Sequence, residues 1–282
     1  MIAKNAMQFK AIVKKKAFEL NVHPQLLLQT YMLERLLERI SLSKYKNNFI
    51  VKGGFLISSL IGVESRTTWD LDYTLKNYEL NAENILIIFK EILAIHLEDN
   101  VSFKLLKVEP IREIDMYCGL RVFLHSFYDV VCIPITVDIT VGDAITPHEI
   151  SHRYKLLFDE GYINFLSYNI ETILAEKLEA IFSRAEASTR PKDYYDVYMI
   201  TKIYGKEIDL DVLDAAIEKT FSQRNNIDLK QNYEEILNRI IKSEQLKSFW
   251  SKFIKQLNLN YDIDFLEVVN AIQKLIDRIL TQ

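Results

Sequence analysis

Glycine, proline and cysteine are all scarce in this chain, with 7, 5 and 2 copies among 282 residues. That scarcity excludes collagen-like and Gly/Pro-rich linker sequences. The two cysteines, Cys118 and Cys132, are too few for a disulfide framework and stand in no C-x-x-C spacing, so a cysteine-based metal or redox motif is excluded. Both read as small core residues, and a reducing compartment follows. Long apolar runs are missing too, since no stretch approaches the ~20 residues of a membrane-spanning helix. The N-terminal stretch is broken by Lys4, Lys10, Lys14, Lys15 and Lys16 and carries no signal-peptide apolar block. A soluble, cytoplasmic protein with no membrane partner is expected. Nor is there a surplus of positive charge: 35 Lys and Arg against 39 Asp and Glu leave a net charge of −4. A broad basic surface that binds nucleic acid nonspecifically is thereby excluded, and any RNA contact must be local.

With 49% apolar residues, the chain can build one large core or two modest ones. Apolar positions at helical spacing predict two helices before about Lys46, the second opening at His23-Pro24. Phe49-Ile50-Val51-Lys52, Gly53-Gly54 and the apolar run to Ile61 predict a strand, a turn and a short helix. Strands are expected at Asp70–Leu75, Val101–Val108, Leu120–Tyr128, Val131–Val141 and Tyr162–Phe165, with one helix at about 81–97 between them. From Ile170 the pattern is helical almost to the end. The expected architecture is a mixed α/β domain over 1–168, including the two N-terminal helices, followed by a helical domain over 169–282.

In so glycine-poor a chain an adjacent pair needs a local reason. Gly53 and Gly54 can take positive φ and let backbone approach a ligand closely, and the following helix offers its first N–H groups to phosphate oxygens. Sixteen residues after Gly54 comes Asp70-Leu71-Asp72. Strand alternation puts both carboxylates on one face, where they repel unless a cation sits between them. A third acid, Asp138, is flanked by Val137 and Ile139 and is placed by alternation among apolar residues, which is costly without a partner. Three such acids suit two Mg²⁺ ions clamping a triphosphate and an attacking hydroxyl.

The helical half adds cations. On the helix over about 170–187, Lys177 falls within the arc of Ile173, Leu174, Leu178 and Ile181, with Arg184 two turns on along nearly the same face. The β- and γ-phosphates are its candidate partners, and snorkelling to solvent is the plain alternative. Arg190-Pro191-Lys192-Asp193-Tyr194-Tyr195-Asp196 opens the next helix. Asp193 is a candidate orienter of Lys177 or of the base and ribose.

Lys52-Gly53-Gly54, Arg66-Thr67-Thr68-Trp69-Asp70-Leu71-Asp72-Tyr73, Val137-Asp138-Ile139-Thr140-Val141-Gly142-Asp143, Ala175-Glu176-Lys177-Leu178 and Lys192-Asp193-Tyr194-Tyr195-Asp196 occur in this order. The ordered set resembles the AbiEii/AbiGii toxin family of bacterial abortive-infection toxin–antitoxin systems. The resemblance implies a DNA polymerase β-like nucleotidyltransferase fold with a mixed sheet and a helical C-terminal domain. It implies NMP transfer from an NTP co-substrate to an RNA acceptor such as the 3′ end of tRNA, and an antitoxin encoded alongside. Carried over, Asp70, Asp72 and Asp138 become metal ligands and, with Lys177 and Asp193, the catalytic set. Lys52, Gly53, Gly54, Arg66, Thr68, Lys177 and Arg184 form the nucleotide-binding set. One departure is plain: Gly54 is followed by Phe55, whereas many nucleotidyltransferases place a serine after the first glycine. Phosphate binding then rests on backbone N–H groups and on Lys52, Arg66 or Lys177. A small-molecule or protein hydroxyl as acceptor, and an NTP-binding regulator without turnover, are the alternatives.

Overall fold

The computed structural model describes residues 3–111, 119–226, 228–257 and 262–281. Cys118 lies outside the described residues. The chain divides into two compact units, Met1–Asp143 with Ile150–Ser167, and Ala144–Glu149 with Tyr168–Gln282.

The first unit runs α1 (Ala6–Glu19), α2 (Pro24–Leu42), β1 (Phe49–Lys52), α3 (Gly53–Ile61), β2 (Asp70–Leu75), α4 (Ala82–Leu93), β3 (Val101–Pro110), β4 (Gly119–Tyr128), β5 (Val131–Thr140), β6 (Ile150–Lys155) and β7 (Tyr162–Ser167). The strands form one mixed sheet in the order β3-β4-β5-β2-β1-β7-β6. Parallel pairing joins β2 to β5 and β1 to β7, and every other neighbouring pair is antiparallel. Sequence patterning shows no strand at β6. Its residues Ile-Ser-His-Arg-Tyr-Lys bury only Tyr154, because the strand lies at the sheet edge and has little apolar face to display.

Alternation along β5 buries Ile133, Ile135, Val137 and Ile139 and turns Cys132, Pro134, Thr136, Asp138 and Thr140 the other way. Cys132 is therefore exposed, not a core residue. Asp138 likewise shares the open face with Thr136 and Thr140, and only its chain neighbours point into the core.

Helix α2 supports the sheet. His23 caps it, with Nδ1 accepting from the Gln25 N–H at 3.2 Å, and Pro24 sits in the first turn. Leu27, Met32, Leu33, Leu36 and Leu37 are wholly buried. Its polar residues work as ties. Gln29 donates to the carbonyls of Trp69 (2.7 Å) and Pro134 (3.2 Å), fixing the lead-in to β2 against β5. Arg39 grips Asp99 with two bonds of 2.7 and 3.0 Å.

The second unit runs α5 (Ile170–Arg184), a 3₁₀ turn at Ala185–Ala187, α6 (Pro191–Tyr204), α7 (Leu210–Gln223), α8 (Asp228–Gln231), α9 (Tyr233–Lys242), α10 (Glu244–Leu257) and α11 (Phe265–Leu280). An aromatic cluster of Tyr194, Tyr195, Trp250, Phe253 and Phe265 holds α6, α10 and α11 together. Asn169 caps α5 by accepting from Thr172 N–H at 2.8 Å. No helix among the described residues is long and apolar enough to cross a membrane.

Glu34 on α2 has no exposed surface, and its Oε1 accepts from the Tyr154 hydroxyl (2.5 Å) and the Leu157 N–H (3.0 Å). Burial outweighs these bonds and the nearby Arg35, and its carboxyl is pushed up to about 7. A raised folded-state pKa means that the stability contributed by the protonated acid is complete below the unfolded value near 4.5 and is lost as pH rises through about 7. Glu34→Gln keeps the accepting oxygen without the charge. Urea unfolding from pH 5 to 8 should show the native protein losing stability relative to the variant, by at most about 3 kcal/mol.

Candidate active site

β2 and β5 run side by side with Asp70 opposite Thr136 and Asp72 opposite Asp138. Leu71 and Tyr73 face the core with no exposed surface, so Asp70 and Asp72 emerge on the opposite face. Register then sets Asp138 beside Asp72, and one carboxylate oxygen from each of the three acids lies within 4.8 Å of the others.

Each acid has its own support. Thr68 donates its hydroxyl to Asp70 Oδ1 at 2.8 Å. The Gly54 N–H, in the first turn of α3, donates to Asp72 Oδ2 at 3.3 Å. Arg121 on β4 forms a two-pronged pair with Asp138, Nε to Oδ1 and Nη2 to Oδ2, both at 2.6 Å. Asp72 is nonetheless pushed up to about 7, by burial first and then by the charges of Asp70 and Asp138, against the opposing pull of Lys52 and the Gly54 N–H. Clustered oxygens that resist shared ionisation are the donor set of a hard divalent cation. The three acids fit such an ion.

The glycine pair owes its presence to this cluster. Gly53 has φ of +66°, and a Cβ there would lie 2.0 Å from Asp72 Oδ2; one at Gly54 would lie 2.6 Å from Thr68 Oγ1. The closest approach is thus to the chain's own Asp72 and Thr68. Lys52, the N-cap residue of α3, makes no side-chain capping bond, and the side-chain acceptor at this helix start is Asp72, bonded by the Gly54 N–H.

The remaining residues of the nucleotide-binding set in this unit are Lys52, Arg66 and Thr68. Lys52 Nζ bonds Thr140 Oγ1 and Asp143 Oδ2, both at 2.8 Å. Asp143 also accepts from Thr74 (2.7 Å) and Thr140 (2.6 Å). Burial alone would raise Asp143, but Lys52 and these hydroxyls outweigh it and hold it below the usual carboxylate range. Arg66 is buried and donates to the Thr67 carbonyl at 2.5 Å. The sequence motif contains Asp143 but gives it no part; Arg121 escapes sequence reasoning altogether. Its one signal is cross-strand register, Arg121 opposite Asp138, which appears only when the sheet is assembled.

In the helical unit, Lys177 Nζ lies 2.7 Å from Asp193 Oδ1 and 3.1 Å from Asp196 Oδ2. Burial would raise Asp193, yet Lys177, Arg190 and Arg184 hold it low. Arg184 itself donates to the Ala180 carbonyl at 3.3 Å. Two buried aspartates rather than one therefore hold the lysine.

Residues 35–274 match the family model described as nucleotidyl transferase AbiEii toxin, type IV toxin–antitoxin system. The chain belongs to that family. It is similar in structure to a proposed nucleotidyltransferase from Helicobacter pylori, with a TM-score of 0.51 and 14% identity over 92% of this chain and 98% of that one. It is similar also to JHP933 from Helicobacter pylori, with a TM-score of 0.51 and 15% identity over 92% of this chain and 94% of that one. At these identities the likeness is one of fold. No curated protein matches the chain.

Repulsion among the three carboxylates predicts a cost to stability when no cation offsets it. Because the Asp72 carboxyl is raised from 3.8 to about 7, its contribution to stability is lost as pH rises through about 7. In chelator at pH 8.5, Asp72→Asn should melt roughly 2–6 °C above the native protein, and the gap should close at pH 5.5. Equal melting temperatures at pH 8.5 would contradict the repulsion described.

Proposed function

We propose that this member of the AbiEii toxin family transfers a nucleoside monophosphate from an NTP to an RNA acceptor, the 3′ end of tRNA, in a Mg²⁺-dependent reaction that arrests growth during phage infection. The observation that carries the reading is the convergence of Asp70, Asp72 and Asp138 within 4.8 Å beside the start of α3, whose Gly54 N–H donates to Asp72. The family description supports the chemistry of nucleotidyl transfer and the toxin role.

Asp70, Asp72 and Asp138 are the residues that would hold two Mg²⁺ ions. Such ions, when bound, supply positive charge against the triphosphate and lower the pKa of the attacking hydroxyl. Backbone N–H groups of α3 and Lys52 receive phosphate oxygens. Thr68 fixes the orientation of Asp70, and the lack of a Cβ at Gly53 leaves Asp72 room to sit where it does. The hydroxyl oxygen bonds to the α-phosphorus as the bond to the bridging oxygen breaks, pyrophosphate leaves, and the proton passes to a carboxylate oxygen of Asp138. The family resemblance makes Lys177 and Asp193 the charged pair of the helical domain; on this reading Lys177, oriented by Asp193, offsets charge on the departing pyrophosphate, with Arg184 a further candidate for phosphate. The exposed Lys10, Lys14 and Lys15 of α1 supply a local basic strip for RNA, and a co-encoded antitoxin is the expected regulator.

Purified protein incubated with Mg²⁺, each α-labelled NTP in turn and total RNA should place label on RNA. Asp72→Ala and Lys177→Ala should each reduce it by at least about 100-fold. Label on a small molecule or a protein instead would move the acceptor to that class, and no label with any NTP from a folded protein would overturn transfer.

A further inference from the structure

Asp138 and Arg121 are held in an arrangement that competes with ligation of a cation by the same carboxylate. Both oxygens of Asp138 are occupied, Oδ1 by Arg121 Nε and Oδ2 by Arg121 Nη2, each at 2.6 Å. A guanidinium bonded through two prongs takes one lone pair on each oxygen and neutralises the acid, so a divalent ion must compete with it for the carboxylate's charge. Arg121 is also the more accessible partner, with a side chain 41% exposed against 16% for Asp138. It reaches the acid from β4, where Arg121 and Asp138 are cross-strand neighbours, so its backbone stays beside the site whichever way the side chain turns.

We infer that Arg121 is an exchangeable counter-cation: it neutralises Asp138 in the ion-free protein, yields that carboxylate when divalent ions bind, and then grips a phosphate oxygen of the nucleotide. The inference rests on the nucleotidyl-transfer reading. Charge decides the exchange. Before cations bind, Arg121 and the charge of Lys52 face three carboxylates, whereas beside divalent cations the guanidinium is repelled and the nearest anion of matching fork geometry is the triphosphate. Arg121 is on this account a positioning residue before turnover and a phosphate ligand during it. The pair also competes with ion binding, so the site loads most readily when ion and nucleotide arrive together.

Mn²⁺ titration of the full chain, followed by calorimetry and by the electron paramagnetic resonance of free Mn²⁺, tests this without turnover. Arg121→Met keeps much of the side-chain stem, and Arg121→Lys keeps the charge but cannot bridge both oxygens; a melting curve for each establishes folding. Arg121→Met should bind Mn²⁺ roughly tenfold more tightly than the native protein in the absence of nucleotide, with Arg121→Lys between them. At saturating Mn²⁺, a non-hydrolysable NTP should bind Arg121→Met roughly tenfold more weakly. Native-like or weaker Mn²⁺ binding by Arg121→Met overturns the exchange. Tighter Mn²⁺ binding with unchanged nucleotide affinity overturns the phosphate contact. If the native protein binds no Mn²⁺ and Asp72→Asn behaves identically, the metal-site reading fails with it; if the native protein binds and Asp72→Asn does not, only the inference about Arg121 is at stake.

Discussion

Like charges in partial burial repel, and the parallel register of β2 on β5 leaves Asp72 and Asp138 no freedom to separate, with Asp70 two residues along the same strand. Most of what surrounds these acids bears that concentration of charge. Thr68 and the Gly54 N–H donate to Asp70 and Asp72, Arg121 clamps Asp138, and Lys52 contributes a further positive charge while Asp143 and Thr140 hold its ammonium in place. None of these cancels the burden, as the raised Asp72 carboxyl shows. A cluster tolerated without full compensation departs from the consistency found elsewhere in the fold, as candidate functional sites do.

The backbone follows from the same constraint. Gly53 takes its positive φ where the turn from β1 into α3 passes against Asp72, and any Cβ there would displace the carboxylate. Gln29 reaches from α2 to the carbonyls of Trp69 and Pro134, so the helix behind the sheet fixes the lead-in to β2 relative to β5. The carboxylates are aimed by buried side chains on the far face, Leu71, Tyr73, Val137 and Ile139, as much as by their own bonds.

Local patterns made parts of this legible. Alternation in Asp70-Leu71-Asp72 predicted two carboxylates on one face, and helical spacing placed Lys177 on the side where Asp193 meets it. The glycine pair is legible as a close approach, and among the chain's own atoms the groups it approaches are Asp72 and Thr68. In β5 alternation works against the expectation for Asp138: Val137 and Ile139 are buried and so turn Asp138 to the other face, and the same rule exposes Cys132. Arg121 and Asp196 were illegible for a different reason. Their partners lie on another strand or another helix, and register between elements is fixed by the assembled core, not by neighbours in sequence. β6 was hidden because an edge strand with one buried residue has no periodic signature.

Membership of the AbiEii family and the convergence of three acids bear on one question, whether the carboxylates hold divalent ions when nucleotide is present. Crystals grown with Mn²⁺ and a non-hydrolysable NTP answer it through the anomalous signal of the metal. The account predicts two anomalous peaks, each within about 2–2.5 Å of oxygens from Asp70, Asp72 or Asp138. Bound nucleotide with no anomalous density at these carboxylates would contradict it.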